Sequence, residues 1–365
     1  MILTDISLSN FRNYDTLDLE FHPKLNIFIG ANAQGKTNLL ESIYFLALAK
    51  SHRTAKDKEL IRFDQEEAFV NGHITTSYST LPLSISVSKK GKRAKVNHLE
   101  VSKLSQYIGH LNTVLFAPED LNIVKGSPQV RRQFINIECG QISKIYLSAL
   151  SNYQKVLATK NQYLKQRNPD RMMIEVLNEQ LSDYAATVIL KRAEFIRTIG
   201  EFAAGIHRDI SNDSEELKVE YAPNIKYESD NAEDLRGELG GLFAENLPKE
   251  LERMQTLNGP HRDDITFSIN GFDVQTYGSQ GQQRTTALSI KLAELELIRE
   301  EVGEYPVLLL DDVLSELDEN RQAHLLTSIR DRVQTFVTTT SISDINHAIM
   351  NDMKTFKVTD GQVKA

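Results

Sequence analysis

The chain has 365 residues, of which 25% are charged and 40% hydrophobic, with a formal net charge of −8. That length and composition fit a globular protein with one large domain or two ordinary ones, and the negative balance argues against indiscriminate polyanion binding while allowing a local basic surface. No apolar run approaches membrane-spanning length, the N-terminus lacks a signal-peptide pattern, and the one cysteine, Cys139, excludes an internal disulfide, so no membrane contact and a reducing cytoplasm are expected.

Residues 1–22 alternate apolar and polar in two stretches and predict an antiparallel strand pair. Between the stretches lies Asn10-Phe11-Arg12-Asn13-Tyr14, either a polar turn or a place from which Arg12 or Asn13 reaches a nucleotide. Next comes the apolar run Leu25–Ile29, a buried strand by pattern. It leads into Gly30-Ala31-Asn32-Ala33-Gln34-Gly35-Lys36-Thr37, the G-x-x-x-x-G-K-T spacing, and then into a helix over 37–49 with Leu39, Leu40, Ile43, Leu46 and Ala47 on one face. Strand, glycine loop and helix in that order are the setting of a P-loop. Glycines let the backbone curl around phosphate, the helix points its positive end at the anion, Lys36 supplies charge to the β- and γ-phosphates of ATP, and Thr37 offers a hydroxyl to Mg²⁺.

A short basic loop follows, with Lys50, Arg53 and Lys56. Residues 67–101 read as three short antiparallel strands, joined in part by Lys89-Lys90-Gly91-Lys92-Arg93-Ala94-Lys95, where five of seven residues are positive. Such a tip is compatible with a solvated hairpin and with phosphate contact. Ser127-Pro128 makes a helix start ahead of Arg131-Arg132. Helical patterns over 141–167 and 171–210, broken at Asn168-Pro169-Asp170, predict a helical hairpin, and acidic 209–238 reads as a surface segment. Asn270-Gly271 marks a type I′ hairpin within 264–278. A helix over 282–301, a buried strand at 307–310 beside the P-loop strand, and a last recognisable strand over 334–339 complete the pattern.

The second apolar strand ends in Asp311-Asp312. Asp311 is placed to hold Mg²⁺ and Asp312 to act on the attacking water. Ser279-Gln280-Gly281-Gln282-Gln283 stands before the preceding helix, and Ser315-Glu316-Leu317-Asp318 follows the acidic strand. P-loop, S-x-G-Q signature, acidic strand and Asp-terminated loop in this order resemble the ABC-type ATPases. In that class the signature serine binds the γ-phosphate of a nucleotide held by the other subunit, so ATP joins a dimer and hydrolysis releases it. The resemblance assigns Ser279, Gly281, Gln282 and Asp318 to that shared site. Departures are Asp312 where most of the class has Glu, Gln280 where transporters usually have Gly, no clear Gln-loop glutamine, and no switch histidine, for which Thr339 or Thr340 could stand in.

The residues go further. Asn10 to Tyr14, GANAQGKTNLLESIY, Lys50-Ser51-His52-Arg53-Thr54, Pro118-Glu119-Asp120, Gly126 to Phe134, Gly259-Pro260-His261-Arg262-Asp263-Asp264 and Asp311 to Asp318 resemble the RecF family of bacterial recombination mediators across nearly the whole chain. The resemblance implies an α/β, P-loop ABC-type, SMC-like ATPase head formed by 1–112 and 256–365, with an inserted, mainly helical second lobe over 113–255. It implies a slow, DNA-stimulated ATPase that dimerises with ATP on gapped DNA and at ssDNA–dsDNA junctions, near the nucleoid. It also implies work with RecO and RecR to load RecA in replication-linked repair and the SOS response. Asn136 stands where that family's pattern has Asp, which leaves the position without an evident role. Candidate DNA contacts are Lys50, Arg53, Lys56, Lys89, Lys90, Lys92, Arg93, Lys95, Arg131 and Arg132, mainly to phosphate. A nucleotide-locked clamp with negligible hydrolysis and a transporter-type ATPase subunit are the alternatives; a nuclease lacks a second acidic cluster.

Overall fold

A computed structural model of the chain describes all residues except 228, 315–316, 342–351 and 365, and leaves the side chains of 319 and 320 undescribed. The chain divides into two compact units, one formed by 1–120, 209–213 and 287–365, the other by 121–208 and 214–286. The sequence expectation placed these boundaries at 112/113 and 255/256.

The first unit holds two six-stranded sheets. One runs in the order Gln362–Lys364, Met353–Thr359, Leu25–Ile29, Thr335–Thr339, Val307–Asp311, Thr113–Phe116. All neighbours are parallel except the first pair. Val307–Asp311 and Thr335–Thr339 are buried at every position, as expected for strands covered on both faces. The helix Lys36–Leu48 begins where Leu25–Ile29 and the glycine loop end, and nearly all of it from Leu39 to Leu48 is buried. Phe21, Phe28, Phe336 and Phe356 pack as an aromatic cluster, with Phe21 edge-on to Phe336 at 4.7 Å. Two expectations change here. The acidic strand is not beside the P-loop strand, because Thr335–Thr339 pairs with both. Nor is 334–339 the last strand, since Met353–Thr359 pairs with Leu25–Ile29 and turns back into Gln362–Lys364.

The other sheet of this unit is antiparallel, in the order Tyr14–Glu20, Ile2–Phe11, Glu67–Thr75, Thr80–Ser88, Gly91–Val96, Leu99–Glu100. The period-2 pattern decides its faces: Leu3, Ile6, Leu8, Val70, Ile74, Ile85, Val87 and Ala94 are buried. The Gln334 amide stitches this sheet to the parallel one, accepting from Leu3 N–H at 2.7 Å and donating to the Leu3 carbonyl at 2.8 Å.

The second unit is built on the helices Pro128–Ile142, Lys144–Leu164, Arg171–Ser211 and Ala232–Arg253. Tyr153, Leu181, Ala185, Ile189, Leu235, Leu239 and Phe243 form its core. It also carries a three-stranded sheet of Phe272–Asp273, Asp264–Ile269 and Leu217–Ala222. Acidic 209–238 is thus partly a paired strand rather than only a surface segment. The hairpin turn is as expected, with φ 51° at Asn270 and 83° at Gly271. Its return strand, however, is only Phe272–Asp273 before the chain coils into the short helix Val274–Tyr277. A buried polar knot fixes these parts. Arg192 bonds to the Tyr146 hydroxyl, the Pro260 carbonyl, Asp263 Oδ2 at 3.0 Å and Asn136 Oδ1 at 2.9 Å. Asn136 therefore has a definite structural task, accepting from both Arg192 and Tyr146. No described helix is long and apolar enough to cross a membrane.

Candidate functional site

In the first unit, the glycine loop is shaped from outside. A Cβ on Gly30 would stand 2.3 Å from the Val358 carbonyl oxygen. Gly35 has φ +113°, and a Cβ there would meet Asn13 Nδ2 at 2.6 Å. Both the backbone angle and the clearance demand glycine. The Tyr14 hydroxyl donates to the Gly35 carbonyl at 2.9 Å, and Asn13 Nδ2 reaches the Gln34 carbonyl at 3.4 Å. From the C-terminal hairpin, Asp360 N–H donates to Gln34 Oε1 at 2.7 Å and Gly361 N–H to the Gln34 carbonyl at 3.1 Å. Gly35 gives the helix Lys36–Leu48 no side-chain cap, and its first turn holds no acid. Its positive end and first N–H groups are thus left for an anion.

Lys36 folds back over the loop and donates to the carbonyls of Gly30 at 2.6 Å and Ala31 at 2.9 Å. Burial pulls its pKa down, against the opposing pull of Asp312 and Asp311. Asp311, 8% exposed, ends its strand. Its Oδ1 accepts from the Thr37 hydroxyl at 3.0 Å and the Thr338 hydroxyl at 2.8 Å. Asp312 turns with φ 55°, its side chain exposed, and its N–H donates to Thr338 Oγ1 at 3.0 Å. Thr338 therefore touches both acids. The Thr339 hydroxyl turns instead to the Ser341 carbonyl at 2.9 Å, and Thr340 is exposed. Of the two threonines expected as the switch, neither is the one against Asp311.

Arg12 and Asn13 take different places. Arg12 makes a two-pronged pair with Glu41 of the P-loop helix, at 2.7 and 2.8 Å, while Asn13 lies against the loop. Burial would raise the Glu41 pKa, but the hydrogen bonds from Arg12 and Ser51 outweigh it and hold the carboxyl below its usual value. Arg53 donates to Asn38 Oδ1 at 2.7 Å, and Asn38 to Asn13 Oδ1 at 2.8 Å. Asp318 caps the helix Glu319–Ile329, accepting from Arg321 N–H at 3.0 Å. Ser315 and Glu316 of the same loop lie outside the described residues.

In the second unit, Ser279 caps the helix Gln280–Val302. Its Oγ accepts from Gln282 N–H at 3.2 Å, and Gln282 Oε1 accepts from Ser279 N–H at 2.8 Å. That reciprocal pair is a capping box. Gln283 Nε2 pins the helix start to the Val274 carbonyl at 3.1 Å. Gly281 lies in the first turn and is partly exposed.

The basic candidates divide. Lys50, Lys56, Lys89, Lys90, Arg93 and Lys95 are exposed. Lys92 is turned inward, donating to the Ala49 carbonyl at 2.8 Å and Asp57 at 3.0 Å. Arg131, 3% exposed, clamps both oxygens of Asp264 at 2.6 and 2.9 Å, and Arg132 donates to the Asp263 carbonyl. Lys92 and Arg131 are therefore corrected from DNA candidates to structural residues. Sequence reasoning missed Tyr14, Thr338 and the Asp360-Gly361 tip. The tip did carry a signal, an Asp-Gly pair between alternating Phe356, Val358 and Val363. Nothing in the run Thr338-Thr339-Thr340 singles out Thr338.

Comparison with known proteins matches this arrangement from end to end. A model of the RecF/RecN/SMC N terminal domain covers residues 2–364. The chain is similar to proteins described as DNA replication and repair protein RecF. The Staphylococcus epidermidis protein is 57% identical over 370 residues and the Staphylococcus aureus protein 57% over 368, with 100% of each chain covered. Two solved structures, titled as the recombination mediator protein RecF with ATPrS and with ATP in the RecFOR pathway, are 36% identical with a TM-score of 0.92. The alignments cover 99% and 100% of this chain, and 97% of each solved chain. The chain belongs to the RecF family.

Proposed function

We propose that the protein is an ATP-dependent DNA-binding recombination mediator that acts in DNA replication and repair. The observation that carries this reading is the meeting of Thr37, Asp311 and Thr338 beside Lys36 and an uncapped helix N-terminus. The 57% identity to relatives described as RecF and the likeness to RecF solved with ATP support the same reading. Residues 30–37 bind the phosphates of ATP. Lys36 exchanges its contacts with the Gly30 and Ala31 carbonyls for phosphate oxygens. Thr37 and Asp311 supply oxygen donors of the kind Mg²⁺ takes. No group of three or more His, Cys, Asp or Glu able to hold a metal exists among the described residues. Mg²⁺ held by Thr37 and Asp311 would take its remaining oxygen donors from phosphate and water, its usual habit at nucleotide sites. When bound it neutralises charge on the β- and γ-phosphates. Asp312 orients the attacking water, and its shorter reach than Glu accords with slow turnover.

Ser279, Gly281 and Gln282 of one copy complete the nucleotide site of another, with Asp318 near the partner's P-loop. ATP then favours the paired state and hydrolysis reverses it, the behaviour of a switch. Exposed Lys50, Lys56, Lys89, Lys90, Arg93 and Lys95 supply phosphate contacts to gapped DNA and ssDNA–dsDNA junctions. RecO, RecR and RecA are the partners the family resemblance brings. Sedimentation velocity with no nucleotide, ADP or ATP, each with and without gapped DNA, tests the reading. A monomer that pairs only in ATP, and more strongly with DNA, is expected. A mass indifferent to nucleotide removes the shared site.

A further inference from the structure

The signature cap does not stand alone. Gln282 uses its side-chain oxygen on the Ser279 N–H and its Nε2 on Glu215 Oε1, at 3.0 Å. The other oxygen of Glu215 meets Nε2 of fully buried His207 at 2.9 Å. Glu215 itself is held in place by its neighbour: Glu216 N–H donates to Asn270 Oδ1 at 2.8 Å, and Asn270 N–H returns to the Glu216 carbonyl at 3.0 Å. The acid therefore rests on the hairpin turn and on a buried histidine, while its other oxygen ends on the signature glutamine.

A glutamine amide is an acceptor on one side and a donor on the other. In the orientation seen, both sides are matched. Rotated by half a turn, the amide would set its N–H₂ against the Ser279 N–H and its oxygen against the Glu215 carboxylate, and both pairs would repel. We propose that Glu215 is a positioning residue for the signature serine, fixing the Gln282 amide so that the capping box closes and Ser279 is presented in one geometry. Glu215 acts through Gln282 and touches no nucleotide. The inference rests on the reading that Ser279 serves a nucleotide held by a second copy.

The test compares wild type, Glu215→Ala, Glu215→Gln, Gln282→Ala and the double variant Glu215→Ala/Gln282→Ala. ATP affinity is measured at chain concentrations too low for pairing, and pairing is then followed by sedimentation velocity across an ATP series. Single-chain ATP affinity is expected to be unchanged throughout, and urea unfolding followed by circular dichroism shows that each variant is folded. The ATP concentration for half-pairing rises roughly tenfold in Glu215→Ala, the size of one lost hydrogen bond to a charged group. Glu215→Gln keeps an acceptor and pairs as wild type. The double variant pairs no worse than Gln282→Ala, because the two residues act as one. The inference is overturned if Glu215→Ala pairs as wild type, if Glu215→Gln fails with it, or if the double variant loses more than Gln282→Ala. A wild type that binds ATP but never pairs overturns the shared-site reading and this inference with it.

Discussion

Thr338→Val should separate the proposed Mg²⁺ anchor from the rest of the site. Valine keeps the β-branch and the volume of a residue only 2% exposed, so the strand and its packing stay as they are. What is lost is one hydroxyl with two tasks, donating to Asp311 Oδ1 at 2.8 Å and accepting from Asp312 N–H at 3.0 Å. A hydrogen bond to a charged group contributes about 1.5–3 kcal/mol, and the Asp312 N–H also loses this acceptor, so stability should fall by about 2–3 kcal/mol. The Thr37 hydroxyl still holds Asp311 at 3.0 Å, which limits the loss. With one of its two hydroxyl tethers gone, the carboxylate becomes mobile, and the Mg²⁺ needed for half-maximal ATP binding should rise about tenfold, equivalent to about 1.4 kcal/mol. Urea unfolding followed by circular dichroism gives the first number, and ATP binding across a Mg²⁺ series gives the second. Thr338→Ser should restore both. Thr339→Val, whose hydroxyl serves Ser341, should leave the Mg²⁺ dependence alone. A Thr338→Val protein with wild-type stability and wild-type Mg²⁺ dependence would refute the role of Thr338 as the shared support of both acids.

Two further outcomes are expected. His261 lies between the Tyr153 hydroxyl at 2.6 Å and the Thr256 carbonyl at 3.3 Å, and burial lowers its pKa from 6.5 to about 4. The unfolded chain therefore binds a proton between those values that the folded chain refuses. The stability His261 contributes is complete above pH 6.5 and falls away as pH drops toward 4, by about 3 kcal/mol. Unfolding curves of wild type and His261→Gln over that range should converge by that amount, and parallel curves would contradict the assignment. Replacing Lys89, Lys90, Arg93 and Lys95 with Ala should weaken DNA binding and flatten its salt slope by about 0.9 for each phosphate the variant no longer neutralises. An unchanged affinity and slope in that variant would remove the hairpin from the DNA surface.

Short-range order in the chain was readable because local physics dictates it. The P-loop strand and helix, the first antiparallel pair, the Ser127-Pro128 helix start and the Asn270-Gly271 turn all follow from spacing and backbone preference within a dozen residues. What escaped depends on pairing across hundreds of positions. Met353–Thr359 becomes a neighbour of Leu25–Ile29 only through the fold, and Thr335–Thr339 enters between Leu25–Ile29 and Val307–Asp311 for the same reason. Leu217–Ala222 was hidden by its acidic surroundings, since Lys218 and Glu220 face outward from a strand whose pairing lies with Asp264–Ile269.

Charge is the least legible property of all, because a cation's role depends on whether an acid lies within reach. Arg131 and Arg132 read as a basic pair, yet Arg131 is sealed against Asp264 and Arg132 bonds the next carbonyl back along the chain. Lys92 sits between exposed Lys90 and Arg93 in sequence but turns its ammonium to Asp57 and the Ala49 carbonyl, because its strand points that position inward. The Gly259 to Asp264 stretch carried family resemblance just as strongly as the P-loop did. In the structure Asp263 and Asp264 answer Arg192 and Arg131, so that stretch is the keystone of the second unit's fold. Resemblance marks both kinds of residue alike, those that hold a fold and those that touch a ligand. Only the partners each side chain has in space divide them: Arg131 and Arg192 are taken up by Asp264 and Asp263, whereas Thr37 meets Asp311 at 3.0 Å beside a helix N-terminus without a side-chain cap.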